Sequence, residues 1–170
     1  MKARLTLATI LLCLSGIAEA QTQPASALGG RNKPGFVYDS ARKKFVLFGG
    51  FGKRGEGIKG DTWEWSGQQW ACVNTSGPGP RGAMGMAYDT KHKRTILFGG
   101  FGTTQLGDTW EWDGKHWVEI QTSGPSARGG IPSLAYDTHR KKTVLFGGWD
   151  ASGPVADIWE WDGKRWLQVK

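Results

Sequence analysis

The sequence predicts an all-β protein made of three four-stranded antiparallel units in series. Three observations carry that prediction. The segment "FVLFGGFG" at 45–52 returns as "TILFGGFG" at 95–102 and as "TVLFGGWD" at 143–150. The alternating "GDTWEW" at 60–65 returns at 107–112 and, as "ADIWEW", at 156–161. Beyond the first twenty residues, no stretch carries the 3.6-residue period of a helix. A repeat of 47–50 residues means that one supersecondary unit is built three times.

The segment 1–20, "MKARLTLATILLCLSGIAEA", stands outside the repeat. Lys2 and Arg4 form a basic start, Leu5 to Leu14 is apolar apart from two threonines, and Ala18-Glu19-Ala20 supplies a small-x-small cleavage pattern. The expectation is a signal peptide cleaved near Ala20, with export to the periplasm or the extracellular space. No stable membrane span is expected, because the apolar run is too short to cross a bilayer. Residues 21–30 are expected to form an N-terminal linker. The repeat domain covers 31–170, with units at about 31–74, 81–121 and 128–170. Past the leader only Cys72 of the two cysteines remains, so no internal disulfide is expected and packing must supply the stability. All ten tryptophans lie there, each able to bury roughly 150–250 Å².

Each unit reads as four strands. The first is "GFVYD" (35–39), "AMGMAYD" (83–89) or "IPSLAYD" (131–137), ending on Tyr38, Tyr88 or Tyr136 and an aspartate. A turn rich in Lys and Arg leads to the second strand, which is apolar on both faces, as a strand between two layers should be. The pairs Gly49-Gly50, Gly99-Gly100 and Gly147-Gly148 permit backbone angles and approaches closed to other residues, and are expected to end this strand. The third strand alternates Trp-Glu-Trp, with Trp63, Trp110 and Trp159 as repeated packing residues. Asp-Gly at 113–114 and 162–163, and Ser-Gly at 66–67, mark a tight hairpin into the fourth strand. That strand opens on Trp70, Trp117 or Trp166.

A double glycine after the second strand, an upstream Tyr and downstream tryptophans resemble the kelch repeat. The form "YDxxRxxxVLFGG…DTWEWDG…W", also seen in galactose-oxidase-type propellers, runs from Arg31 to Lys170. The resemblance implies that each unit is one four-stranded blade of a kelch-type β-propeller. Three blades are fewer than the roughly four to eight that close a ring. Three arrangements stay open: a homodimer completing a six-bladed ring, an open arc docked on another molecule, or a fragment of a longer propeller.

The formal net charge is +7, and loss of Lys2, Arg4 and Glu19 with the leader lowers it by one. This favours acidic partners; outside the cytoplasm these are glycans, lipids or proteins, not nucleic acid. The loops between second and third strands differ most among the copies, which is where a binding specificity would be written. They supply the candidates Lys53, Arg54, Glu56, Lys59, Gln105, Trp149 and Asp150. Trp149 replaces a phenylalanine, Phe51 or Phe101, and could stack on a sugar ring. By resemblance to kelch proteins that bind acidic peptides, Arg31, Arg81 and Arg128 are candidates for gripping a carboxylate or sulfate. The turns at 42–44, 91–94 and 140–142 present a second basic rim.

Evidence for chemistry is thin. Asp61, Asp108 and Asp157, with Glu64, Glu111 and Glu160, recur beside tryptophan and read as structural carboxylates. No Ser/His/Asp signature, phosphate loop or metal-spaced His/Cys cluster appears. The Tyr-Cys copper site of galactose oxidase has no counterpart, and no cofactor is expected. The expected function is therefore noncatalytic: binding or scaffolding of a protein or glycan ligand, anionic in character. The alternatives are a carbohydrate-active enzyme of the kelch type (oxidase or sugar isomerase) and a structural piece of a larger propeller.

Overall fold

The computed structural model describes residues 21–170 except Pro24 and Gln121, and side chains from Ala27 onward. The expected signal peptide lies outside the described residues. The fold is all-β, and its one helical segment among the described residues is the four-residue α1 (Ala25–Leu28).

The first sheet holds β1 (Gln21–Gln23), β2 (Arg31–Asn32), β3 (Gly35–Asp39), β4 (Lys44–Gly52), β5 (Ile58–Trp65) and β6 (Trp70–Asn74). Its spatial order is β1-β6-β5-β4, with both β2 and β3 on the far side of β4. The second sheet runs β7 (Gly85–Asp89), β8 (Arg94–Phe101), β9 (Gln105–Trp112) and β10 (Trp117–Ile120) as a meander. The third has β11 (Ser133–Asp137), β12 (Lys142–Phe146), β15 (Ile158–Trp161) and β16 (Trp166–Val169). A separate hairpin of β13 (Trp149–Asp150) and β14 (Gly153–Pro154) stands beside it. Every pairing is antiparallel, and the three four-stranded meanders are the three blades of an open, partial propeller. The strand β1 adds an outermost pairing to the first blade, with Thr22 opposite Ala71. Part of the segment expected to be a linker is thus strand. Cys72 lies on β6, opposite Trp63 of β5.

Side-chain chemistry explains the tight turns. Asp39 Oδ1 accepts the N–H groups of Ala41 and Arg42, both at 3.0 Å. Asp89 and Asp137 repeat the arrangement at 2.9 Å, and Lys43, Lys93 and Lys141 then take left-handed φ of 56–59° to bring the chain back. In the outer hairpin Asp113 Oδ1 accepts from Lys115 and His116, each at 2.7 Å, and Gly114 supplies φ 101°.

The double glycine does more than end a strand. Pairing of β4 with β5 breaks between Phe48 and Gly50, then resumes with Gly50 opposite Lys59. The same bulge sits between Phe98 and Gly100. The second strand therefore continues past the glycines in two blades; only in the third does it stop at Phe146. Gly49 and Gly99 have φ of 61° and 65°, where L-residues are strained. A Cβ on Gly49 would lie 2.4 Å from the Arg81 carbonyl oxygen, and one on Gly99 would lie 2.6 Å from that of Arg128. Glycine is required because the next blade's backbone closes on it.

The core lies between blades. Val46 and Phe48 of the first meet Met84, Leu97, Trp112 and Trp117 of the second. Ile96 and Phe98 of the second meet Leu145, Trp161 and Trp166 of the third. Alternation along the second strand sends one set of apolar residues to each neighbour, so the run is apolar throughout. At each junction a phenylalanine takes a tryptophan edge-on, Phe48–Trp117 at 5.3 Å and Phe98–Trp166 at 5.5 Å between centroids. The indole N–H then donates to a buried threonine, Thr62 Oγ1 at 2.8 Å or Thr109 Oγ1 at 2.9 Å. Truncating either indole to alanine would cost about 3–5 kcal/mol.

Candidate functional site

The three arginines are fasteners inside the blades. Arg81 is 2% exposed and Arg128 1%. Arg81 Nη2 donates to Asp108 Oδ2 at 2.8 Å, Nη1 to the Gly99 carbonyl at 3.1 Å and Nε to the Gly79 carbonyl at 3.0 Å. Arg128 repeats this with Asp157, Gly147 and Ser126, and Arg31 with Asp61, Gly49 and the carbonyl of Leu28. Each aspartate also accepts the indole N–H two residues on, from Trp63, Trp110 and Trp159 at 2.6–2.7 Å. Burial works against ionising Asp108, but Arg81 and the Trp110 N–H outweigh it and hold the carboxyl below its usual range. Asp157 is lowered first by its bond to Arg128. With these donors engaged and their guanidinium groups buried, Arg81 and Arg128 offer nothing that a ligand anion can reach.

The turn cations divide in the same way. Arg42 bonds Asp39 at 2.7 Å and also Glu64, while Lys44 reaches Glu64 at 2.9 Å. Arg140 bonds Asp137 at 2.6 Å and Glu160. His92 stands where the other blades place arginine, 2.7 Å from Asp89. Tyr88 and Tyr136 of the second and third blades lie beside Asp39 and Asp89 of the blades before them. Burial first, and then the Asp39 carboxylate, push the Tyr88 phenol up to about 12. No blade precedes that of Tyr38 among the described residues, and Tyr38 is exposed.

One corner of the rim does collect predicted residues. Trp149 is 56% exposed, at the start of the β13–β14 hairpin. Its backbone is pinned: Gly129 N–H donates to its carbonyl and its own N–H donates back, both at 3.0 Å, and Gln105 Nε2 donates to the same carbonyl at 2.9 Å. Asp150 accepts from Ser152 Oγ at 2.6 Å and from Ser126 Oγ at 3.0 Å, and these bonds lower its pKa. Ser126 in turn accepts from Arg128 Nη2 at 2.8 Å, which ties the corner to the buried fastener. Phe101, at the matching position of the second blade, stays 43% exposed although its junction is complete. Phe51, at the same position of the first blade, is half-buried, its ring lying over Gly82 of the second blade. The structure thus unites Gln105, Trp149, Asp150 and Arg128, with the ring of Trp149 outward.

Lys53 and Arg54 are exposed on the first blade's loop, and among the described residues their side chains make no hydrogen bond or ion pair to that corner; Lys59 pairs locally with Glu56 at 3.2 Å. Sequence reasoning missed Ser126 and Ser152. The signal for Ser126 was its replacement of Gly79, two residues before the arginine, in an otherwise repeated stretch. Among the described residues no three His, Cys, Asp or Glu side chains converge to hold a metal, and no helix is long and apolar enough to cross a membrane. No protein-family model matches the chain, and no curated protein matches it significantly.

Proposed function

We propose that this is an exported kelch-type module that binds a glycan or a glycan-bearing protein and carries out no chemistry on it. The observation that carries the proposal is a large aromatic ring held outward on a pinned backbone. An exposed indole on a pinned backbone presents an apolar plate to the C–H face of a pyranose. Asp150 keeps carboxylate lone pairs beside the plate, suited to accepting sugar hydroxyls. Lys53 and Arg54, with the surplus positive charge of the chain, favour a ligand that also bears carboxylate or sulfate groups. Export rests on the pattern of the leader, and kelch kinship on three four-stranded blades, with a double glycine that bulges the second strand in the first two.

The test is calorimetric titration with neutral and uronic-acid oligosaccharides, using the parent protein and Trp149→Ala. The proposal expects a glycan that binds the parent and loses at least tenfold affinity in the variant, with an unchanged melting temperature. Binding indifferent to Trp149, or turnover of the sugar, contradicts it.

A further inference from the structure

The two completed junctions define what a blade requires on each face, and the outermost blades present those same features without a neighbour. Facing forward, Phe48 and Phe98 are 0% exposed, while Phe146, their counterpart in the third blade, is 50% exposed. Ile158 and Val169 lie exposed on that side as well. Facing backward, Tyr88 is buried, whereas Tyr38 is exposed together with Phe36 and Phe45, whose rings stack at 5.1 Å.

The polar contacts are matched as closely as the apolar ones. Gly50 N–H donates to the Arg81 carbonyl at 2.8 Å and Gly100 N–H to that of Arg128 at 2.9 Å. Gly148, with the same left-handed backbone, finds no acceptor among the described residues, and Arg31 occupies the position of Arg81 and Arg128. Arg42 packs against Gly114, and His92 against Gly163, so closely that a Cβ there would lie 2.8 Å and 2.6 Å away. Gly67, their counterpart in the first blade, has open space around its Cβ direction, and Arg140 is the counterpart of Arg42.

We infer that the forward face of the third blade is an interface for the backward face of the first blade of a second copy. The contact continues the two internal junctions: Gly148 meets the Arg31 carbonyl, Arg140 meets Gly67, and Phe146 meets Trp70. One internal feature changes. Ile158 replaces the threonine that accepts the indole N–H, so this junction exchanges a hydrogen bond for apolar burial. The contact is heterologous, and such contacts either close into a ring or propagate. Two copies bring six blades, within the range that closes, whereas three would bring nine. The product is a closed dimer. This inference is independent of the glycan reading.

Sedimentation velocity on the purified protein at about 10 µM tests it, with the N-terminus read by mass spectrometry. The expected mass is twice that of the chain. Phe146→Glu and Ile158→Lys, both at exposed positions, should each give monomers with an unchanged circular dichroism spectrum. Phe36→Glu should do the same from the other face. A mixture of Phe146→Glu and Phe36→Glu should recover a one-to-one dimer, because each retains the face that the other has lost. A parent monomer, a dimer indifferent to Phe146 and Ile158, or variants that fail to associate on mixing would each overturn the inference.

Discussion

The backbone N–H of Gly100 donates to the carbonyl of Arg128 across the junction of the second and third blades, at 2.9 Å. Gly50 and Arg81 make the same bond one blade earlier, at 2.8 Å. The recurring glycine pair and the recurring arginine, thirty or so residues apart in sequence, are thus two halves of one joint. The glycine supplies a bare backbone and a donor. The arginine offers its carbonyl to the blade before and its guanidinium to its own blade's aspartate.

Glycine at the joint should be irreplaceable only where a neighbour closes on it. In Gly99→Ala the new methyl meets the Arg128 carbonyl at 2.6 Å on a strained backbone, and we expect about 3 kcal/mol or more of lost stability. In Gly147→Ala the nearest atom is 3.3 Å away, so backbone strain alone remains, about 1–2 kcal/mol. Urea unfolding of both variants in a Phe146→Glu background, where no second copy intervenes, measures the difference.

Arg128→Met should cost about 3–5 kcal/mol, because it strands Asp157 and the Gly147 carbonyl. The double variant Arg128→Met with Asp157→Asn should recover part of that loss. A thermal-unfolding double-mutant cycle on the pair reads the coupling, and strict additivity would remove the fastener role.

Thr62→Val should cost about 1–2 kcal/mol, since it leaves the buried Trp117 N–H without an acceptor while preserving shape. At the third blade the same chemistry runs in reverse. Ile158→Thr should not destabilise the monomer measurably, because Ile158 is exposed. Chemical denaturation of both variants checks the contrast.

Stability should be lost on acidification below about pH 4. Asp108 and Asp157 have folded pKa values below the ordinary 3.8, so their contribution is complete above that value and disappears as pH falls through the folded ones. Glu111 has the opposite sign. Burial raises its pKa above 4.5, so its ionisation subtracts from stability as pH rises. Melting temperatures between pH 2 and 7 should fall toward the acid end. Asp108→Asn should flatten that fall, and Glu111→Gln should melt higher than the parent at pH 7.

Much of the blade was legible because strand chemistry is local. The Tyr-Asp close of the first strand, the apolar second strand and the Trp-Glu-Trp third strand each fix their own conformation through alternation and turn residues. The joints were less legible. Whether Arg128 faces a ligand or Asp157 depends on a residue twenty-nine positions away, and charge alone suits either. The bulge at Phe48/Gly50 was hidden for the same reason: a glycine pair marks a break in pairing without saying whether the strand resumes. The β1 pairing with β6 could not be read, since three polar residues carry no alternation. In the corner around Trp149, the aromatic substitution showed in the sequence, but the Ser126 bridge between Asp150 and Arg128 did not.

Amide hydrogen exchange resolved by NMR at Gly50, Gly100 and Gly148, in the Phe146→Glu protein, tests the joint most directly. Serial stacking of three blades predicts slow exchange at Gly50 and Gly100 and near-solvent rates at Gly148. Equal rates at all three, or greater protection at Gly148, would contradict it.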